Sequence, residues 1–235
     1  MNNQHKGFTL VELLIIIAII GTLLALLNPF HAHPSRERAR QATCKHNLKR
    51  IAQAIRSYER EHGTLPPAFT TNSKGDRLHS WRTLILPYLG ENALYDKIDL
   101  RKPWNDPVNV EARITRIENY QCPSSPNSPE EKGFTTYLGM VGKQCVFTGK
   151  QSRELASVTR DFSTTACVID VEDAFAVHWM SPHDIDLKTT LQMFKDADTK
   201  HPALYFVAYL DGDAGLIPSE VDPKELLKKL TVASE

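Results

Sequence analysis

The chain has 235 residues, 41% of them apolar, and its 28 Lys plus Arg are matched by 28 Asp plus Glu. That length suits one domain of moderate size beside a short extra segment, and the apolar share is enough for a core. Zero net charge excludes a general affinity for polyanions, so nucleic acid is not an expected partner.

An apolar run occupies residues 8–27 and contains a single charge, Glu12. About 20 apolar residues at a helical rise span the hydrocarbon core of a bilayer. The run is longer than the apolar part of a cleaved secretory signal, and no A-x-A site follows it. A carboxylate within hydrocarbon costs about 3 kcal/mol on insertion scales, so Glu12 calls for a partner, which need not belong to the same chain. Lys6 flanks the run on one side, and Arg36, Arg38, Arg40 and Lys45 on the other. Charge alone would therefore keep the C-terminal part in the cytoplasm.

Pro29 and Pro34 lack the amide that a continuing helix needs and are expected to bend or break it. Ser35 can cap a second helix reaching about residue 61, along which Leu48, Ile51, Ala52, Ile55 and Tyr58 form one apolar face. Gly63 fits the left-handed stop, and Pro66-Pro67 forbid continuation. The basic residues Arg36, Arg38, Arg40, Lys45, Lys49 and Arg50 lack interleaved aromatics for base stacking. They read as a solvated face, or as a contact with lipid headgroups.

The remainder reads as α+β. A buried helix is expected at residues 80–89, turns at 103–107, and a lead into a strand at 114–122. Strands are expected at 137–147, 166–171 and 204–210. Asp211-Gly212 before Leu216-Ile217 signals a hairpin with positive φ at both turn positions. Asp222-Pro223-Lys224-Glu225 starts a last helix, with Asp222 as cap and Glu225 closing the box.

Cys44, Cys122, Cys145 and Cys167 show no C-x-x-C spacing, which argues against a thiolate metal site or redox motif. In an exported domain the even count favours disulfides. Three pairings remain open, of which Cys44–Cys122 with Cys145–Cys167 is preferred. His201 and Asp211 flank an apolar strand that holds them about 30 Å apart, too far to share a proton. His31 and His33 are two histidines without further ligands, and His178 and His183 are expected at the surface. No G-x-S-x-G, H-E-x-x-H or phosphate-cradling loop is present, so no catalytic set can be assembled and no cofactor is expected. Asp211 and Asp213, with Glu220 and Asp222 downstream, are oxygen ligands suited to calcium and form the one metal candidate.

Gly7-Phe8-Thr9-Leu10-Val11-Glu12-Leu13-Leu14 resembles the type IV prepilin leader motif. The resemblance implies cleavage after Gly7 by the prepilin peptidase, methylation of the new amine on Phe8, and pairing of Glu12 with the terminal amine of a neighbouring subunit. It also places the C-terminal domain outside the cytoplasm, against the flanking-charge rule.

Further pieces resemble domain-of-unknown-function family 1559, whose members carry such a leader and a C-terminal processing-associated H-X9-DG segment. They are Cys44-Lys45-His46-Asn47-Leu48-Lys49, His62-Gly63-Thr64-Leu65-Pro66-Pro67, Ser80-Trp81-Arg82, Gln121-Cys122-Pro123-Ser124, Thr136-Tyr137-Leu138-Gly139 and His178-Trp179. Nine residues separate His201 from Asp211-Gly212, as in the H-X9-DG segment, for which a structural role is expected. Pro202-Ala203 stand where the family often has glycines.

These resemblances imply a pilin-like α+β fold: a long N-terminal helix, transmembrane and then amphipathic, packed on a mainly antiparallel sheet. The expected division is leader 1–7, membrane and assembly helix 8–28, amphipathic continuation 29–63, and extracytoplasmic domain 64–235. The implied function is a non-enzymatic pilin-like or pseudopilin-like subunit of the bacterial inner membrane, assembling with other pilin-like subunits into a pilus or secretion filament. The alternative is a membrane-tethered binding module that does not polymerise.

Overall fold

The computed structural model describes residues 9–26, 32–125, 133–196, 199–201 and 203–233. The expected cleavage point at Gly7 and Phe8, the bend at Pro29 and the ligand candidate His31 lie outside them. The chain forms two units, Met1–Ala39 and Arg40–Glu235.

In the first unit α1 (Leu10–Leu26) is apolar around its whole circumference and has 17 residues, a length of about 25 Å. Among the described residues no helix is long and apolar enough to cross a membrane. The Thr22 hydroxyl is satisfied by the Ala18 and Ile19 carbonyls, 3.0 and 2.9 Å away. The next helix, α2 (Ala32–His62), starts three residues ahead of the expected cap at Ser35. Pro34 falls in its first turn, where an amide would have no intrahelical partner in any case, so this proline does not break the helix.

From Arg40 onward α2 belongs to the second unit. Cys44, Leu48, Ile51, Ala52 and Ile55 are buried at helical spacing, and Tyr58 packs beside them. Gly63, at φ 75°, ends the helix as expected. A hairpin of β1 (Phe69–Thr71) and β2 (Arg77–Ser80) follows.

The expected helix at 80–89 is two single turns, α3 (Trp81–Leu84) and α4 (Leu86–Leu89). Ser80 caps the first and Pro87 lies in the first turn of the second, because proline has no amide for the bond that would join them. Two more single turns, α5 (Asn92–Tyr95) and α6 (Val110–Arg113), frame the expected turns at 103–107. Residues 114–122 hold no strand. A 3-10 turn, Glu118–Tyr120, sits there instead, and the Tyr120 hydroxyl donates to the Arg82 carbonyl at 2.6 Å.

The remaining strands are β3 (Phe134–Thr135), β4 (Tyr137–Val141), β5 (Ala166–Asp170), β6 (Val177–His178), β7 (Ile185–Asp186), β8 (Leu204–Tyr209) and β9 (Ala214–Pro218). Two helices, α7 (Leu187–Asp196) and α8 (Pro223–Leu230), complete the unit. β3 pairs with β6, and five strands form the main sheet in the order β7-β4-β5-β8-β9. Every pairing in that sheet is antiparallel except β4 with β7.

Side chains alternate across the sheet with the period of two that strands impose. Tyr137, Val168, Phe206 and Ala208 share a cluster with Leu48, Ile51 and Ile55 of α2. Leu138, Ile169, Tyr205, Val207 and Ile217 face the other way, onto Met193 and Phe194 of α7 and Leu226 and Leu230 of α8. The second unit is thus α+β: helix α2, a mainly antiparallel sheet, then two short helices.

The β8–β9 hairpin forms as expected, but its turn does not. Among the described residues Gly212 has a positive φ of 98° and Asp211 does not. Residues 210–213 make a four-residue loop in which Asp211 accepts from the Asp213 amide at 2.9 Å. Asp222 caps α8 as expected, while Glu225 pairs with Lys229 at 3.6 Å instead of reaching back to the cap. β4 stops at Val141 because a turn from Gly142 to Cys145 follows it.

A buried ion pair ties these pieces together. Arg82 and Asp184 lie 2.6 Å apart, and Arg82 also donates to the carbonyls of Tyr137, Trp179, Ser181 and His183. The same Asp184 oxygen accepts from the Trp81 indole and the Gly139 amide, at 3.1 and 2.7 Å. Gly139 is glycine for lack of room: a Cβ there would stand 2.8 Å from Phe147 and 2.9 Å from the Trp81 nitrogen. Gly139→Ala is therefore expected to lower stability by about 1–3 kcal/mol, the usual cost of overpacking. Chemical denaturation of the two chains measures the difference.

Candidate functional site

At its N-terminus α1 carries a reciprocal cap. The Thr9 amide and hydroxyl both donate to Glu12 Oε2 at 2.9 Å, and the Glu12 amide donates to Thr9 Oγ1 at 3.3 Å. This is the Thr-x-x-Glu capping box, in which two otherwise orphaned amides are satisfied. The spacing is visible in the sequence, but the apolar setting of Glu12 points first to partners outside the chain. Beyond the box, the side chains of Leu10, Val11, Leu13, Leu14, Ile15, Ile17, Ile20 and Leu24 are all at least half exposed within the chain.

The H-X9-DG segment is divided between two places. Asp211 and Gly212 form the β8–β9 turn, whereas His201 is buried three residues before β8. The two do not meet. Asp213 turns to Lys49 at 3.1 Å, a cation already in place where calcium was considered. Among the described residues, Asp211, Asp213, Glu220 and Asp222 are not among the side chains close enough to one another to share a metal ion.

His201 instead joins Cys44, Cys122 and Asp170, all four buried, with their ligand atoms within 4.8 Å of one another. Cys44 stands one turn before Leu48 on the buried face of α2. Cys122 follows the 3-10 turn, and the Asn47 amide fixes that loop by donating to the carbonyls of Glu118 and Gln121 at 3.3 and 2.9 Å. Asp170 ends β5 on the α2 side of the sheet. His201 Nε2 lies 3.5 Å from Cys122 Sγ and 3.4 Å from Asp170 Oδ2.

Asp170 uses its two oxygens differently. Oδ1 accepts from Lys200 Nζ and the Thr136 hydroxyl, each at 2.6 Å, while Oδ2 is buried without a hydrogen bond. Burial works against both charges, yet their mutual attraction prevails. Burial raises Asp170, but Lys200, with His201 close to one oxygen and the Thr136 hydroxyl on the other, brings it below the usual carboxylate range. Burial lowers Lys200, and Asp170 more than restores it. The hydrogen bond with Cys44 and then burial push the Cys122 thiol up. Cys122 and Asp170 also approach the same histidine nitrogen, so the histidine is not oriented from one side to activate a nucleophile on the other.

All four cysteines are buried free thiols, against the expectation of disulfides. Cys145 and Cys167 belong to opposite faces of the sheet, so their pairing is excluded by the fold. Cys44 and Cys122 do come together, as part of the four-residue group. The group leaves no C-x-x-C spacing in the sequence because its members come from four separate segments. His178 is another correction. It stacks on Trp104, bonds the Arg113 carbonyl at 2.9 Å, and burial pulls its pKa down to about 4. His183 is exposed as expected.

Ala203 has a φ of 58°, a left-handed conformation that glycine adopts without strain.

An apolar N-terminal helix with a single carboxylate, and a domain with a helix laid on an antiparallel sheet, are features of a type IV prepilin-like protein. The family described as protein of unknown function (DUF1559) matches residues 34–167, more than half of the chain, and the chain belongs to it. The prokaryotic N-terminal methylation motif matches residues 2–28. The chain is also similar to the type IV major pilin protein PilA of Myxococcus xanthus (strain DK1622), 40% identical over 57 residues. Those residues are 24% of this chain and 26% of that protein, so the chain spans about a quarter of the relative's length. No solved structure matches it.

Proposed function

We propose that this chain is a non-enzymatic pilin-like or pseudopilin-like subunit, cut after Gly7, methylated on Phe8 and assembled into a filament through α1. The observation that carries the reading is α1 itself. Its large apolar side chains are exposed on every side, and such a surface needs lipid or other helices around it. The subunit is held in the bacterial inner membrane by residues 8–28 before assembly, with residues 64–235 outside the cytoplasm. The methylation motif and the likeness to a type IV major pilin support the same reading.

Within a filament Glu12 pairs with the terminal amine of a neighbouring subunit. Both internal bonds of its carboxylate fall on Oε2, which is compatible with a further donor at Oε1. Cleavage after Gly7 leaves Thr9 and its amide intact, so the capping box survives processing. Coexpression with a prepilin peptidase tests the reading. The expected product lacks the first seven residues, and a chain that stays uncut beside an active peptidase contradicts it.

A further inference from the structure

We propose that Cys44, Cys122, Asp170 and His201 form a buried four-coordinate site for a divalent transition metal, zinc by their chemistry. Two sulfurs, an imidazole nitrogen and a carboxylate oxygen are a zinc-type donor set. Zinc binds nitrogen and oxygen at about 2.0–2.2 Å and sulfur at about 2.3 Å. Tetrahedral edges are then about 3.5 Å from sulfur to nitrogen and about 3.4 Å from nitrogen to oxygen. The Cys122–His201 and His201–Asp170 separations are 3.5 and 3.4 Å. All the ligand atoms lie within 4.8 Å of one another, so any longer separation closes to a tetrahedral edge, at most about 3.8 Å between sulfurs, by a shift of about 1 Å or a little more.

Three further observations point the same way. Asp170 Oδ2 is fully buried, lacks a hydrogen bond and faces the group. A buried carboxylate oxygen left this way is costly unless something binds it. Charge also balances. Two thiolates and a carboxylate bring three negative charges, zinc two positive, and Lys200 on the other carboxylate oxygen supplies the third. The four ligands, the ion and Lys200 thus offset one another, with the half-buried Asp173 3.9 Å from Lys200 on the outer side. Finally, a cleft of about 440 Å³ lined by Thr43, Asn47, Gln121 and Cys122 gives an ion access from outside. Binding releases the two thiol protons and clips α2, the 3-10 loop, β5 and the lead into β8 to one point.

The test uses the full-length chain purified in detergent, with zinc and cobalt(II) as the metals tried. The expected result is about one zinc per chain, as for a closed structural site. Cobalt in its place should give the intense visible absorption of a tetrahedral thiolate complex. Cys44→Ser should drop retained metal to background, and Cys145→Ser should leave it unchanged. The cobalt spectrum of the unaltered chain needs no variant and so stands even if Cys44→Ser fails to fold. A Cys44–Cys122 disulfide, seen as a mass two hydrogens lower and as a cross-linked peptide, overturns the proposal. So does a reduced, folded chain that takes up no cobalt, or shows only the pale spectrum of octahedral cobalt.

Discussion

Glu12→Gln is expected to leave the subunit inserted in the membrane while lowering its incorporation into filaments about tenfold or more. Glutamine retains the capping box, because the motif accepts either residue at this place, but it removes the charge. Alanine removes both. Losing the Glu12 half of the box leaves the Thr9 hydroxyl still accepting from the residue-12 amide, a local change that a long apolar helix tolerates. A hydrogen bond to a charged group contributes about 1.5–3 kcal/mol, and each 1.4 kcal/mol is a factor of about ten in an equilibrium. The two substitutions therefore separate the capping of α1 from the proposed pairing between subunits. If pairing between subunits is what matters, both variants fail to assemble and both still insert. Normal filament yield from Glu12→Gln, with loss only in Glu12→Ala, would reduce Glu12 to a helix cap. Sheared-filament yield normalised to membrane-inserted subunit measures the difference.

The largest stability loss is expected from Arg82→Met. Arg82 is fully buried and Asp184 nearly so, and burial pushes the Asp184 carboxyl up more than Arg82 and the bonds from Gly139 and Trp81 pull it down. The pair is thus held at a net desolvation cost. Removing one partner leaves an uncompensated buried charge and should cost about 3–5 kcal/mol. Four carbonyls lose their donor in the same change. That is a large share of the about 5–15 kcal/mol by which domains are stable. The double variant Arg82→Met, Asp184→Leu should recover only the part due to the uncompensated charge, since the four carbonyls, the Trp81 indole N–H and the Gly139 amide stay without their partners. Denaturant titration followed by the fluorescence of Trp81 and Trp179, both beside the pair, measures all three chains. A single variant within about 1 kcal/mol of the parent would contradict this account of the pair.

Both predictions concern residues whose surroundings the sequence disclosed unevenly. Periodicity placed the buried face of α2 from Leu48 to Tyr58, since apolar residues recurring at helical spacing line up on one side of a helix and drive it onto a core. Cys44 continues that face one turn earlier and could have been added to it. Alternating and β-branched runs marked β5, β8 and β9 for the corresponding reason at a period of two. The strand expected at 114–122 failed because local composition does not reveal that Tyr120 is held by the distant Arg82 carbonyl. The short motifs Ser80-Trp81-Arg82 and Thr136-Tyr137-Leu138-Gly139 were legible as motifs but not as one object. Asp184 joins them, 102 residues beyond Arg82 in the chain. The four-ligand group was hidden in the same way: its members lie in four segments, and contact between distant segments leaves no spacing to read. Asp170 did leave a trace, as a charge closing an otherwise apolar strand.

Intact mass and N-terminal sequencing of the protein taken from its native membrane test the central claim most directly. A chain starting at N-methylated Phe8 is the result expected of a processed pilin-like subunit. A chain starting at Met1, with the leader uncut, would contradict it.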